Sequence, residues 1–165
     1  MVYKRVILKR GKEESLKRFH PWVFSGAIAR MDNIEEGDLV TVYDHEGNLI
    51  GNGHYQIGSI AVRILTFDDT EIDSAFFVKR LTEAYKMRQA LGLSRPDNNA
   101  FRLVHGEGDF LPGLVVDIYG STAVMQAHSP GMHFARNLIA DALTQLPNGV
   151  VKNVYYKSET TLPYK

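Results

Sequence analysis

The stretch Arg18-Phe-His-Pro-Trp-Val-Phe-Ser-Gly-Ala-Ile28 decides how this chain begins to fold. Pro21 fixes its own φ and keeps His20 out of the α region, so a stiff turn leads into an apolar strand that we predict over 22–29. A turn that carries Arg18, His20 and Trp22 offers cations for phosphate and a ring for stacking, as a binder of single-stranded RNA requires. Large aromatic side chains are also commonly buried, so Trp22 and Phe24 could instead be core residues of a β barrel.

The charges around this turn are segregated along the chain. The protein as a whole is neutral, with 19 basic and 19 acidic residues. Residues 1–30 hold eight bases and two acids, whereas residues 31–73 hold ten acids and one base. This pattern indicates one basic and one acidic face, although two solvated faces that only compensate each other would give the same pattern. We predict that the bases beside the turn contact RNA phosphates and that the tryptophan stacks on a base: Lys9, Arg10, Lys12, Lys17, Arg18, His20 and Trp22.

Composition limits the classes of protein to consider. The 165 residues can form one domain or two small ones and contain no cysteine, which excludes disulfides, thiolate nucleophiles and cysteine-bound zinc. The first residues lack the apolar segment of a signal peptide, and no apolar run is long enough to cross a membrane. The six histidines do not fall at metal-ligand spacings, so we expect no metal site. Because the chain has no cysteine and no signal-peptide segment, we expect a cytoplasmic protein.

The first seventy residues show only β signals apart from one short helical segment. Alternating apolar residues and glycine turns predict five strands, at 3–8, 22–29, 38–44, 49–55 and 59–67. One or two helical turns are expected between Lys12 and Phe19, and Gly51 and Gly53 indicate a bend or bulge within a strand. Several short strands with glycine turns are typical of a small barrel or sandwich. The acidic stretch 68–71 resembles a linker.

From residue 73 onward, helical and β signals alternate. Asp73 or Ser74 can cap a helix that Gly92 ends, and Ser129-Pro130 can begin another. The expected buried faces of these helices are Phe77, Leu81, Ala84 and Leu91 for the first and Phe134, Leu138, Ala142 and Leu146 for the second. Strands are predicted at 101–104, 113–120, 121–127 and 150–156. The tail 157–165 offers no further helix, and we expect a chain cut short there.

The segment His105-Gly-Glu-Gly-Asp109 is the strongest candidate for enzymatic chemistry. An imidazole and two carboxylates within five residues could act in acid–base catalysis or bind a cation. A hairpin loop in which glycines adopt positive φ explains the same residues without chemistry. The glycines do not form a nucleotide loop, because another strand follows them instead of a helix.

These stretches together resemble a known family. The segment 18–28, the later Gly53-His-Tyr55 with Arg63, and above all Phe101-Arg-Leu-Val-His-Gly-Glu-Gly-Asp-Phe-Leu-Pro-Gly-Leu-Val-Val-Asp117 are similar to the N-terminal part of bacterial SAM-dependent methyltransferases that make 5-methylcytosine in large-subunit ribosomal RNA. The resemblance covers essentially the whole chain but only the first two domains of that family. Its members carry an RNA-binding PUA barrel, a central α/β domain and a Rossmann-like catalytic domain.

The resemblance implies an α+β chain with a PUA-type β barrel over 1–70 and a central α/β domain over 73–165. It also implies that the catalytic domain, with its SAM loop and cysteines, is absent from this chain and is one of its partners. Cytosine C5 methylation needs a thiolate, so we expect this polypeptide alone to be inactive and to bind no cofactor, although SAM serves the full-length family members. Two departures are Ile118 in place of a usual arginine, which would remove a polar contact, and a tail near Ser158 without an arginine-rich stretch.

The resulting prediction is an RNA-docking region that binds ribosomal RNA on behalf of a methyltransferase domain not present in this chain. Two alternatives remain open. The chain could be a stand-alone RNA-binding adaptor of PUA type, or a small acid–base or metal-dependent enzyme built on His105, Glu107 and Asp109. The sequence leaves the target nucleotide, the oligomeric state and any RNA contact of the central domain open.

Overall fold

The computed structural model describes residues 2–162. Its chain divides into two compact units, Met1–Ile72 and Asp73–Lys165. The first is almost entirely β structure, and the second combines four strands with three helices in its described part. None of the helices in the described range is both long and apolar enough to cross a membrane.

The first unit is a six-stranded mixed sheet with one short helix. Its strands lie in the order β2-β6-β5-β4-β1-β3, with β1 parallel to β4 and the other neighbours antiparallel. The helix α1 follows β1. The bounds are β1 Lys4–Leu8, α1 Glu14–Lys17, β2 Trp22–Phe24, β3 Ile28–Met31, β4 Leu39–Tyr43, β5 Leu49–Tyr55 and β6 Ile60–Thr66.

This sheet is curled into a half-barrel. Its two edge strands, β2 and β3, are consecutive in the chain and are joined only by the 3-10 helix Ser25–Ala27, so the edges must approach each other. The single strand predicted over 22–29 is therefore wrong, because the 3-10 turn divides it in two. No ladder joins β2 to β3 within residues 2–162, so the predicted barrel is a curled sheet that stays open between these two strands.

Apolar alternation builds the core inside the curl. Residues that point inward from neighbouring strands pack with Leu16 of α1: Val6, Leu8, Val23, Val40, Val42, Ile50, Val62 and Ile64. Gly51 and Gly53 allow β5 to approach β6 closely, because a Cβ at these positions would lie 2.1 Å from the Thr66 carbonyl oxygen and 2.2 Å from that of Arg63. The register shifts between Asn52 and Gly53, which confirms the predicted bulge.

The second unit is a four-stranded sheet packed against helices. Its order is β10-β9-β8-β7, with β10 parallel to β9 and the others antiparallel. Ile118 lies in the core at 1% exposure, on the same sheet face as Ala123 beside it. The bounds are α2 Ser74–Ala90, β7 Ala100–His105, β8 Leu114–Tyr119, β9 Thr122–Ala127, α3 Pro130–Phe134, α4 Arg136–Thr144 and β10 Asn153–Tyr156.

The predicted caps of these helices are confirmed, whereas their buried faces are partly wrong. The Asp73 carboxylate accepts from the Phe76 N–H, and the Ser129 hydroxyl accepts from that of Met132. Leu91 lies beyond the end of α2 and is 66% exposed. A break at Ala135 separates α3 from α4 and rotates the expected stripe, which exposes Phe134 and Leu138 and buries Ile139, Ala142 and Leu143.

The tail is described up to Leu162 and folds back onto β9. The Ser158 hydroxyl accepts from the Ala127 N–H at 2.8 Å, and the Thr161 hydroxyl donates to the Ala127 carbonyl oxygen. Ser158 is buried as a result. The expectation for the last three residues, Pro163–Lys165, lies outside the described residues.

Candidate nucleic-acid interface

An open groove runs between α1 and β2 in the first unit. It has a volume of about 300 Å³ and is lined by residues of the loop, helix, strand and 3-10 turn: Lys12, Ser15, Leu16, Trp22, Val23, Phe24, Gly26 and Ala27. Strand alternation explains its aromatic wall. Val23 is 2% exposed and points into the core, so Trp22 and Phe24 point to the other side of β2.

The aromatic side chains along this wall are accessible. Phe24 is 50% exposed, which corrects its alternative assignment to the core, and Trp22 is half-buried. Their rings meet edge to face at 6.3 Å between centroids, and the His20 ring meets Trp22 in the same manner at 5.6 Å. The Trp22 backbone N–H donates to His20 Nδ1 at 3.3 Å.

Phe19, which follows α1, is another exposed aromatic residue of the first unit. It adopts a left-handed conformation with φ of +65° and is 71% exposed. Its ring packs edge to face on Phe67 at 5.3 Å. A non-glycine residue in this conformation costs about 1–2 kcal/mol, and strain of this kind is often found at binding sites.

The predicted basic residues differ in their relation to the groove. The Lys9 ammonium donates to the Gly26 carbonyl oxygen at 3.0 Å, and Lys12 lines the groove directly. Lys12 and Trp22 thus line the same groove as Gly26, and Lys9 is hydrogen-bonded to Gly26. The other predicted cations, Arg10, Lys17 and Arg18, are exposed and do not line the groove.

A buried carboxylate, that of Glu13, lies close to the Lys17 ammonium. The side chain of Glu13 is 7% exposed, with Oε1 3.9 Å from His45 Nδ1 and 4.0 Å from the Lys17 ammonium. Its Oε2 has no hydrogen-bond partner in the described chain. Glu13 and Glu14 partly offset the charge of Lys17, whereas Arg10, Lys12 and Arg18 form no ion pair with any residue in 2–162.

The second candidate site, around Asp109, is organised as a structural ion pair. The Asp109 side chain is 2% exposed, and the Arg88 guanidinium of α2 binds both of its oxygens, with Nη2 to Oδ2 at 2.8 Å. The His105 N–H also donates to Asp109 Oδ2 at 2.7 Å. Gly106 has a φ of +52°, as the hairpin interpretation expects, whereas Gly108 does not adopt a positive φ.

These contacts occupy the Asp109 carboxylate and leave it poorly placed for acid–base chemistry. Glu107 is exposed, so the two carboxylates of the segment have different environments. No group of three or more histidine, aspartate or glutamate residues in the described chain is placed to hold a metal ion. The geometry therefore supports the structural interpretation of this loop.

The curled sheet with its groove beside α1 defines a PUA-like domain. Residues 6–67 match the family model described as a PUA-like domain, and this range contains the whole groove.

Most of the chain is homologous to ribosomal RNA large subunit methyltransferase I of bacteria. It is 41% identical to the Escherichia coli (strain SMS-3-5 / SECEC) protein over 145 residues, which is 86% of this chain and 36% of that protein. It is 40% identical to the protein of Klebsiella pneumoniae subsp. pneumoniae over 148 residues, 88% of this chain and 37% of that protein. The chain thus spans little more than a third of the length of these relatives. The predicted resemblance to bacterial methyltransferases of large-subunit ribosomal RNA is confirmed.

Solved structures share the fold. "A putative sam-dependent methyltransferase from Streptococcus mutans" matches 94% of this chain and 41% of its own, with a TM-score of 0.77. A chain described as "a putative methyltransferase complexed with SAH" matches 95% of this chain and 40% of its own, with a TM-score of 0.78. Both are 17% identical to this chain, so the likeness concerns the fold alone.

Proposed function

We propose that the first unit binds ribosomal RNA through the groove between α1 and β2, on behalf of a SAM-dependent methyltransferase activity. The observation that carries the proposal is the combination, at one groove, of an accessible aromatic wall with a cation, Lys12, that is unpaired among the described residues. Trp22 and Phe24 offer faces and edges for an unstacked base, and Lys12 stands beside them for a phosphate. Phosphate contacts of this kind supply affinity, whereas base contacts supply specificity.

The homology supports the choice of RNA. The relatives are named for an activity on large-subunit ribosomal RNA, and we extend that substrate class to this chain. We further propose C5 of a cytosine as the target, as the sequence resemblance implies. That reaction needs a cysteine thiolate, and this chain contains no cysteine, so its proposed contribution is docking.

The test is a series of filter-binding measurements with large-subunit ribosomal RNA fragments at several salt concentrations. Each phosphate contact adds about 0.7 to about 0.9 to the slope of log affinity against log salt, because binding releases counterions. Substituting Lys17→Gln and Arg18→Gln together should flatten the slope by about one to two units. Both side chains are exposed, so the fold should persist.

A matched control removes two charges from the second unit instead. Lys79 and Arg95 are exposed, and Lys79→Gln with Arg95→Gln should leave both affinity and slope unchanged. If the Lys17/Arg18 variant binds as tightly as the parent and with the parent's slope, the basic surface is merely solvated and the assignment of these two residues is wrong.

A further inference from the structure

A second cleft lies on the outer side of the first unit, where β1 meets the edge strand β3. It has a volume of about 150 Å³ and is lined by Arg5, Ile7, Arg30, Met31 and Asp32. Strand alternation places it there: burial of Val6 and Leu8 turns the intervening residues of β1 outward, and Ile7 pairs with Arg30 across the ladder.

The cleft carries an excess of positive charge. The Arg5 guanidinium contacts the Asp32 carboxylate through two long hydrogen bonds of 3.4 Å, and its side chain is 60% exposed. Arg30 is exposed and forms no ion pair with any residue of the described chain. Two guanidinium groups therefore face one carboxylate. Guanidinium is suited to phosphate because its planar fork can bind two oxygens at once.

The size of the cleft restricts what it can hold. Pockets for drug-sized ligands have volumes of about 300–1,000 Å³, so this cleft is too small for a nucleotide cofactor. It could hold about five water molecules at about 30 Å³ each, which is enough for one hydrated anionic group. A single phosphate fits this charge and volume.

The cleft is connected with the groove through the 3-10 turn. Gly26 lines the groove, and Arg30 follows four residues later, at most about 14 Å away along an extended chain. Lys9, which donates to the Gly26 carbonyl oxygen, directly follows the last residue of β1 and lies two residues after Ile7. Cationic groups thus continue from the groove, across Gly26, to the cleft.

We infer that Arg5 and Arg30 bind a backbone phosphate of the same RNA strand that occupies the groove. The bound strand then passes over Gly26 from the α1 side of the sheet to the β1–β3 side. This inference rests on the proposed function, because it assigns a longer path to the same ligand.

The test compares oligouridylates of about 4 and about 16 nucleotides, the range of site sizes for small β-barrel domains. The full chain should bind the longer oligonucleotide more tightly. Arg30→Gln should reduce that affinity several-fold and lower its salt slope by about 0.7, the value for one phosphate of a single strand. The short oligonucleotide should bind the variant and the parent alike. Arg95→Gln serves as the control, and the thermal midpoint of Arg30→Gln should equal that of the parent.

Each outcome separates the cleft from the groove. Lys12→Gln should weaken binding of both lengths, because Lys12 lines the groove. If Lys12→Gln weakens binding but Arg30→Gln retains the parent's slope, the cleft assignment is overturned and the groove stands. If uridine monophosphate alone competes in an Arg30-dependent manner, the cleft takes a free phosphate ligand and the strand path is wrong. If the parent binds neither oligonucleotide, the strand path is overturned, whereas the proposed function is decided by the filter-binding series with ribosomal RNA fragments.

Discussion

Trp22 lies between the core and the solvent, so its removal should affect binding more than folding. A fully buried tryptophan costs about 3–5 kcal/mol when replaced by alanine, but Trp22 is only half-buried. We expect Trp22→Ala to lose less stability than that and to weaken RNA binding by about 1–3 kcal/mol, the usual contribution of one stacked base. Denaturant unfolding and filter binding measure the two effects on the same preparation.

Tyr155→Ala provides the control for this substitution. Tyr155 is a comparably large aromatic residue that is 58% exposed on β10 of the second unit. Its loss should leave RNA affinity unchanged. A Trp22→Ala protein that remains folded and binds RNA as tightly as the parent would rule out stacking on this ring.

His54 makes the stability of the protein depend on pH. Burial, together with the nearby charge of Arg63, lowers the pKa of His54 from 6.5 to about 4. Between these values the unfolded chain binds a proton that the folded chain does not, so stability is complete above pH 6.5 and falls as the pH drops toward 4. The loss should approach about 3 kcal/mol, at 1.36 kcal/mol per pKa unit. Urea unfolding between pH 7 and pH 4 measures it.

The control for this pH effect is another histidine. His54→Gln should flatten the pH dependence, whereas His128→Gln, at an exposed position, should retain it. Burial and Arg136 also lower the pKa of His133, so a smaller dependence of the same sign should remain in His54→Gln. An unchanged pH dependence in His54→Gln would show that other groups cause it.

Sequence reasoning identified the turn, but of the residues that it named only Lys12 and Trp22 line the groove, and it missed two exposed aromatic residues. The size of Phe24 favours burial, so the core is one of the two places that the sequence predicts for it. In the structure the 3-10 turn after Phe24 leaves this residue exposed at the sheet edge. Phe19 gave no signal, since a left-handed conformation is not expected for phenylalanine. The cleft at Arg5 and Arg30 depends on strand pairing, which local patterns do not specify.

At the scale of elements, the ion pair between Arg88 and Asp109 ties α2 to the loop after β7. Removing one partner of a buried pair leaves an uncompensated charge and typically costs about 3–5 kcal/mol. We expect Asp109→Ala to lose stability of that order, because both of its oxygens are bound. Glu107→Ala, at an exposed position, should lose less. Thermal and urea unfolding of the two variants measure the difference.

A double substitution checks the cause of this effect. Replacing Arg88 as well, by methionine, should recover part of the lost stability, because no unpaired guanidinium then remains buried. Equal losses in Asp109→Ala and Glu107→Ala, without recovery in the double variant, would contradict the structural role. A loss of metal binding or hydrolytic activity without a change in stability would favour the enzymatic alternative.

The elements themselves were largely predictable, because alternation and caps are local signals. Strands β4, β5 and β6 begin and end within one or two residues of their predicted bounds. The buried face predicted for the second helix of the second unit was wrong, since the break at Ala135 has no sequence signature comparable to proline or glycine. The parallel pairing of β1 with β4 was not predicted either, because it joins residues about 36 positions apart.

At the scale of the whole molecule, we predict that this chain binds RNA without transferring a methyl group. It has no cysteine to attack C6 of cytosine, and its glycine-rich segment 106–108 opens a 3-10 turn between antiparallel strands. Calorimetry with SAM should give no saturable binding, and a tritium-transfer assay with large-subunit ribosomal RNA should give no incorporation. A micromolar dissociation constant for SAM would overturn the assignment of a docking role to this chain.

The place of β1 between β4 and the edge strand β3 has a consequence for the order in which the first unit assembles. β1 pairs with β3 on one side and with β4 on the other, so one edge of β1 must remain unpaired until residues 39–43 have emerged from the ribosome. A hairpin of β1 with β3 can form early, but its parallel partner requires closure of a long loop. Pairing of β1 on its second side should therefore wait for β4, and a nascent chain whose residues 39–43 are still inside the ribosome would present an exposed strand edge once β1 has emerged.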